Sequence, residues 1–153
     1  MKRLFTTVLA AILALNLTGC GIESREEQVL DTLGQYEYRH FYTSGGFQDY
    51  TDFALYTYAA ADLTDNPYFA PLTGQDAEAL KGFLDNFEGW VDIIGANDPS
   101  NELVVNYAFD RTILDSGDWF YLYEGENYPK YGCYDLWIFD SQTNVLYYFH
   151  NNI

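Results

Sequence analysis

The stretch CYDLWIFDSQTNVLYYFH, residues 133–150, decides how the chain reads. Residues 133–139 and 145–150 are rich in aromatic and β-branched side chains, and Asp140-Ser141-Gln142-Thr143-Asn144 between them are turn formers. Two such runs joined by a short polar link predict an antiparallel hairpin. Upstream, Trp119 to Tyr123 (WFYLY) predicts another strand behind the turn Asp115-Ser116-Gly117-Asp118. Glu102 to Asp110 carries Leu103, Val105, Tyr107 and Phe109 at alternate positions, a period of two that also predicts a strand. Tyr36 to Tyr42 (YEYRHFY) is rich in β-formers, and Ser44-Gly45-Gly46 marks a turn after it. Residues 52–60 fit a strand through FALYTY, or a helix through Tyr50, Phe53, Ala54 and Thr57. We read them as a strand hairpinned onto 36–42.

One main helix stands out at about 73–86. Thr73 is a good N-cap, Asp76 sits at N3, and Ala77, Leu80, Phe83, Leu84 and Phe87 form an apolar stripe. A short N-terminal helix is predicted over 25–33, where Ser24 and Glu27 have capping-box spacing and Gly34 provides a stop. Strands linked by short polar turns favour an antiparallel sheet, and one helix on one face of it gives an α+β fold. The organisation expected is a leader at 1–19, a tether with the short helix at 20–35, and a single domain at 36–153.

The 153 residues include 7 basic and 23 acidic side chains, for a formal charge of −16. Nucleic acid is excluded as a partner, because binding phosphates needs a positive surface that releases counterions. At 48% hydrophobic the chain can bury a sizeable core. Lys2 and Arg3 precede an apolar run from Leu4 to Leu17, shorter than the roughly 20 residues that span a bilayer. This pattern reads as an export signal. It ends in Leu17-Thr18-Gly19-Cys20, which resembles a bacterial lipobox. The resemblance implies cleavage before Cys20, a lipid on its thiol, and a protein held by that lipid on the extracytoplasmic face of the cell membrane. Cleavage there leaves 134 residues, with 5 basic against 23 acidic side chains.

Cys133 is then the lone remaining thiol. His150 lies on the partner strand and Asp135 is near, so a Cys133/His150 pair would give the parts of a small cysteine hydrolase. Against it, a strand is an unusual seat for a nucleophile, which is commonly activated at a helix N-terminus or beside a cation. His40 and His150 have no local partner at metal-ligand spacing. Asp62, Asp65 and Asn66 cluster in one loop, and Asp98, Asn101 and Glu102 in another; either could offer calcium some oxygens, but such residues equally serve turns. No nucleophile elbow, P-loop or dinucleotide fingerprint is present. We therefore assign no catalytic residue, no metal ligand and no cofactor, and read the protein as a non-enzyme.

The aromatic content is the remaining signal, at 19% of the chain. Aromatics fall on both alternating faces of the strands, so one face fills a core while the other meets solvent, another layer or a partner. Trp119, Tyr121, Trp137 and Tyr148 are the residues expected to bind a protein or glycan, since aromatics give large contact areas at low entropic cost. Cross-strand aromatic pairs that simply stabilise a sheet are the structural alternative. A calcium-binding surface domain is the competing functional reading.

NPYF at 66–69, DNFEGWV at 85–91, NELVVNY at 101–107 and FDSQTNVLYYFHNN at 139–152 resemble segments of small cell-surface lipoproteins of anaerobic, low-GC Gram-positive bacteria. The resemblance spans most of residues 36–153. It implies an envelope location and transfers no catalytic residue.

Overall fold

In the decisive hairpin, Asp140 stands opposite Val145 and Trp137 opposite Tyr148. Its turn is closed by Asp140, whose carboxylate accepts from the Gln142 and Thr143 backbone N–H groups at 2.8 and 3.2 Å. Asn144 takes the left-handed conformation that lets the chain return. The computed structural model describes residues 24–46, 49–114, 117–125 and 131–152. Cys20, the leader and the first half of the 115–118 turn lie outside these residues.

Among them are helix α1 (Arg25–Asp31), strands β1 (Tyr38–Thr43), β2 (Tyr50–Thr57) and β3 (Ala70–Pro71), and helices α2 (Gly74–Asn97) and α3 (Glu102–Asn106). A 3₁₀ turn at Arg111–Ile113 leads to β4 (Trp119–Glu124), β5 (Cys133–Asp140) and β6 (Val145–Asn152). The six strands form one antiparallel sheet in the order β1-β2-β6-β5-β4-β3. The class is α+β, and residues 52–57 are strand, paired with β1 as expected.

The predicted Ser24/Glu27 capping box forms, and the predicted N-cap Thr73 forms a second one with Asp76. Ser24 Oγ accepts from the Glu27 N–H while the Glu27 carboxylate accepts from the Ser24 N–H, and Thr73 and Asp76 do the same for α2. Gly34, at φ +79°, ends the first segment as its position suggested.

Helix α2 extends to Asn97, well past the expected end near 86. Its apolar stripe continues through Val91 and Ile94 onto the sheet, and the helix stops only at Asp98, before Pro99. Gly89 and Gly95 lie within that extension, each costing about 0.5–1 kcal/mol relative to alanine without breaking a helix this well packed.

The strand expected at 102–110 does not form. Asn101 accepts from the Leu103 N–H at 3.0 Å and caps α3. Leu103 is buried but Val105 is 66% exposed, so the alternation in sequence is not one in space.

Alternating strand residues build two apolar layers. Phe53, Tyr134, Leu136, Ile138 and Phe149 face α2, where Leu80, Phe83, Leu84 and Phe87 meet them. Ala54, Tyr56, Trp137, Phe139, Leu146 and Tyr148 face the other way, against Val29 and Leu33 of the N-terminal segment and Tyr58, Leu63 and Phe69 of the β2–β3 connection. The sheet is the middle layer of three.

Candidate ligand-binding site

The structure brings three of the four predicted binding residues together, but mostly inside. Tyr121, Trp137 and Tyr148 stack across β4, β5 and β6, with centroids 5.0 and 4.9 Å apart and ring planes within 25°. Trp137 is 0% exposed and Tyr148 5%. Trp119 and Tyr121 are half-buried at the margin of the same cluster, with Tyr68 and Phe69 rings against Tyr121. The expectation of an open aromatic sheet face is therefore corrected for Trp137 and Tyr148. What meets that face is the chain's own third layer, whose Val29, Leu33 and Phe69 are buried against it.

The stack ends in polar groups. Beyond Tyr148 come His150 and then Tyr50, whose ring lies 4.9 Å from the imidazole. Asp135 stands opposite His150 on β5. Its Oδ1 receives the Tyr148 hydroxyl at 2.8 Å and His150 Nδ1 at 2.6 Å, while Arg25 Nε lies 3.8 Å from Oδ2. The Arg25 guanidinium rests 3.3 Å from the Tyr123 ring centroid, a cation–π contact. On the other side of His150, register pairs it with Asp52 of β2. Asp52 is 8% exposed, and burial is the main cause raising its pKa, opposed by a hydrogen bond from Thr43. Burial next to the Asp135 carboxylate raises the Tyr148 phenol in the same way. These groups, with Ser24, Arg25 and Glu26 above, line a cavity of about 200 Å³.

Cys133 stands opposite Asn152, diagonal to His150. The imidazole nitrogen that faces β5 is held by Asp135, and burial followed by the Asp135 charge pushes the thiol pKa up. A raised thiol pKa works against a thiolate nucleophile at this position. His40 lies exposed on the opposite face of β1.

A larger cleft, about 360 Å³, opens between the C-terminal half of α2 and the β1–β2 hairpin. Trp90, Ile93 and Ile94 form its helical wall, and Tyr50, Asn97 and Asn101 contribute from the hairpin side and the helix end. Asn101 Nδ2 donates to the Ser44 carbonyl at 3.0 Å, tying the segment after β1 to the α3 cap. Trp90 is half-buried and Ile93 50% exposed. Trp90 escaped the sequence reading because the helix was ended near 86. The spacing Phe83, Phe87, Trp90, Ile94 was the signal that could have found it.

The two carboxylate loops serve the backbone. Asp62 Oδ1 accepts from the Thr64 N–H, Asn66 Oδ1 from Tyr68 and Phe69, and Asp98 Oδ1 from the Ser100 N–H and hydroxyl. Among the described residues no group of three or more His, Cys, Asp or Glu side chains is placed to hold a metal ion. No helix among them is long and apolar enough to cross a membrane. Comparison with protein families, with curated proteins and with solved structures finds no match.

Proposed function

We propose that this is a lipid-anchored extracytoplasmic binding protein that takes a glycan in the cleft walled by Trp90. The observation that carries the reading is that cleft. Its volume falls in the roughly 300–1,000 Å³ range of ligand pockets, and it joins an indole, a phenol and two isoleucines to carboxamide and carboxylate groups. The apolar face of a sugar ring stacks on such an indole, while its hydroxyls bond to Asn and Asp side chains. Lipidation at Cys20 would hold the domain at the membrane surface, where envelope glycans are its commonest neighbours. The net charge, −16 for the full chain and −18 after loss of Lys2 and Arg3 with the leader, favours neutral or cationic glycans over anionic ones.

The test is a calorimetric titration with a panel of neutral and amino-sugar-containing cell-wall fragments. Trp90→Ala is the variant, and Trp119→Ala the control on the other cluster. The reading expects binding that Trp90→Ala weakens at least tenfold and Trp119→Ala leaves intact. Binding by no member of the panel, or equal binding by Trp90→Ala, would reject it.

A further inference from the structure

Four buried side-chain polar atoms lack a hydrogen-bond partner among the described residues: Asp52 Oδ1, His150 Nε2, Tyr58 Oη and Trp137 Nε1. The first two belong to residues directly opposite each other on β2 and β6, and both residues line the 200 Å³ cavity under α1. A buried unsatisfied polar group costs about 1–3 kcal/mol. Two on one cavity wall point to a partner that the described residues do not supply.

The chemistry of that partner follows from the tautomer. A carboxylate accepts only, so His150 donates Nδ1–H to Asp135; when the ring is neutral, Nε2 then carries a lone pair. Asp52 Oδ1 is also an acceptor, its carboxyl group already taking a hydrogen bond from Thr43. With the ring neutral, both orphans require donors. Among the described residues, the cations nearby are engaged elsewhere. Arg25 sits on the Tyr123 ring and reaches Asp135, and Arg39 pairs with Glu26 at 3.0 Å while bonding the Tyr56 hydroxyl at 3.1 Å. No ion pair forms to Asp52 among the described residues. The charged groups around the cavity are Asp52 from β2, Asp135 from β5, Glu26 and Arg25 from α1, and His150 from β6. With a neutral imidazole they sum to excess negative charge, and Tyr50 and Tyr148 add ring faces that attract cations.

We infer that this cavity is a binding site for a primary ammonium group, which donates to Asp52 Oδ1 and His150 Nε2. The ligand is a small amine, or the amino terminus of a larger molecule, entering between α1 and the sheet. The cavity shares Tyr50 with the Trp90 cleft but rests on Asp52 and His150, so either reading can fail without the other.

The test follows the ring proton resonances of His150 in the full chain, held in detergent micelles, during titration with ethylammonium chloride. His40 is the only other histidine, and His40→Gln assigns the pair. Tetramethylammonium chloride at equal ionic strength is the control, being a cation without N–H donors. The expected result is a saturable shift of His150 with ethylammonium, at least tenfold weaker with tetramethylammonium and at least tenfold weaker in Asp52→Asn. If Asp52→Asn does not fold, the two cations decide alone. Absence of a shift up to 100-fold molar excess over protein at millimolar amine, or equal response to both cations, overturns the assignment.

Discussion

Replacing Trp137 by alanine separates a core residue from a contact residue. The indole is fully buried, stacked between Tyr121 and Tyr148, and covered by the layer containing Val29, Leu33 and Phe69. Truncating a buried tryptophan costs about 3–5 kcal/mol, a range that includes cavity formation. Each lost stack contributes about 0.5–1.5 kcal/mol within it. A domain of this size has about 5–15 kcal/mol in total, and each kcal/mol moves its melting temperature by roughly 3–5 °C. Trp137→Ala should therefore melt about 10–20 °C lower and lose about a fifth or more of its stability. The assay is urea unfolding followed by far-UV circular dichroism, where the midpoint should fall with an unchanged slope. Trp90→Ala, at a half-buried cleft wall, should cost under about 1–2 kcal/mol. A Trp137→Ala protein that unfolds within about 2 °C of the parent would refute the three-layer packing and return this indole to the surface.

The other expectations concern single groups. Tyr134 donates its buried hydroxyl to the Phe83 carbonyl at 2.9 Å, so Tyr134→Phe should cost about 1–3 kcal/mol in the same unfolding assay. Asp52 has a folded pKa above its unfolded value, so the native state holds its proton more tightly. The stability this adds is complete below the unfolded pKa and disappears as pH rises through the folded one; parent stability should decline from about pH 4 upward relative to Asp52→Asn. Chemical denaturation at several pH values checks the sign, and a parent that gains stability relative to Asp52→Asn as pH rises contradicts it. With its raised pKa and partial burial, Cys133 should alkylate more slowly in the native protein at pH 7.5 than after unfolding, as read by mass-resolved iodoacetamide labelling. A Cβ at Gly82 would meet the Tyr131 hydroxyl, so Gly82→Ala should displace that side chain, read as a shift of the Tyr131 ring proton resonances.

Much of the fold could be read locally because the signals are local. The Asp140–Asn144 turn fixes the register of β5 and β6, and the Ser24/Glu27 and Thr73/Asp76 pairs mark helix starts through bonds between residues three apart. The length of α2 was missed because its second half is held by tertiary contacts with the sheet and α3, which outweigh two internal glycines. Residues 102–110 misled because Asn101 captures the Leu103 N–H and starts a helical turn, a choice of five residues that periodicity does not resolve. The site was half legible. Asp135 beside His150 was foreseen from the hairpin, and the structure gives their contact. Asp52 arrives from a strand about 100 residues away, and Trp90 from a helical turn beyond the expected end, so neither was visible from spacing alone. The aromatic residues at Trp137 and Tyr148 were correctly placed on one sheet face, but a seven-residue helix and a connecting loop decide whether that face is open.

The chain has three tryptophans, at 90, 119 and 137, and each gives one indole N–H resonance. A nitrogen–proton correlation spectrum recorded during titration with a cell-wall glycan fragment therefore locates binding in a single experiment. The account predicts that the Trp90 resonance moves and saturates while that of Trp137, sealed in the core, stays in place. Movement of the Trp119 or Trp137 resonance with Trp90 unmoved would contradict it, and so would no movement with any glycan.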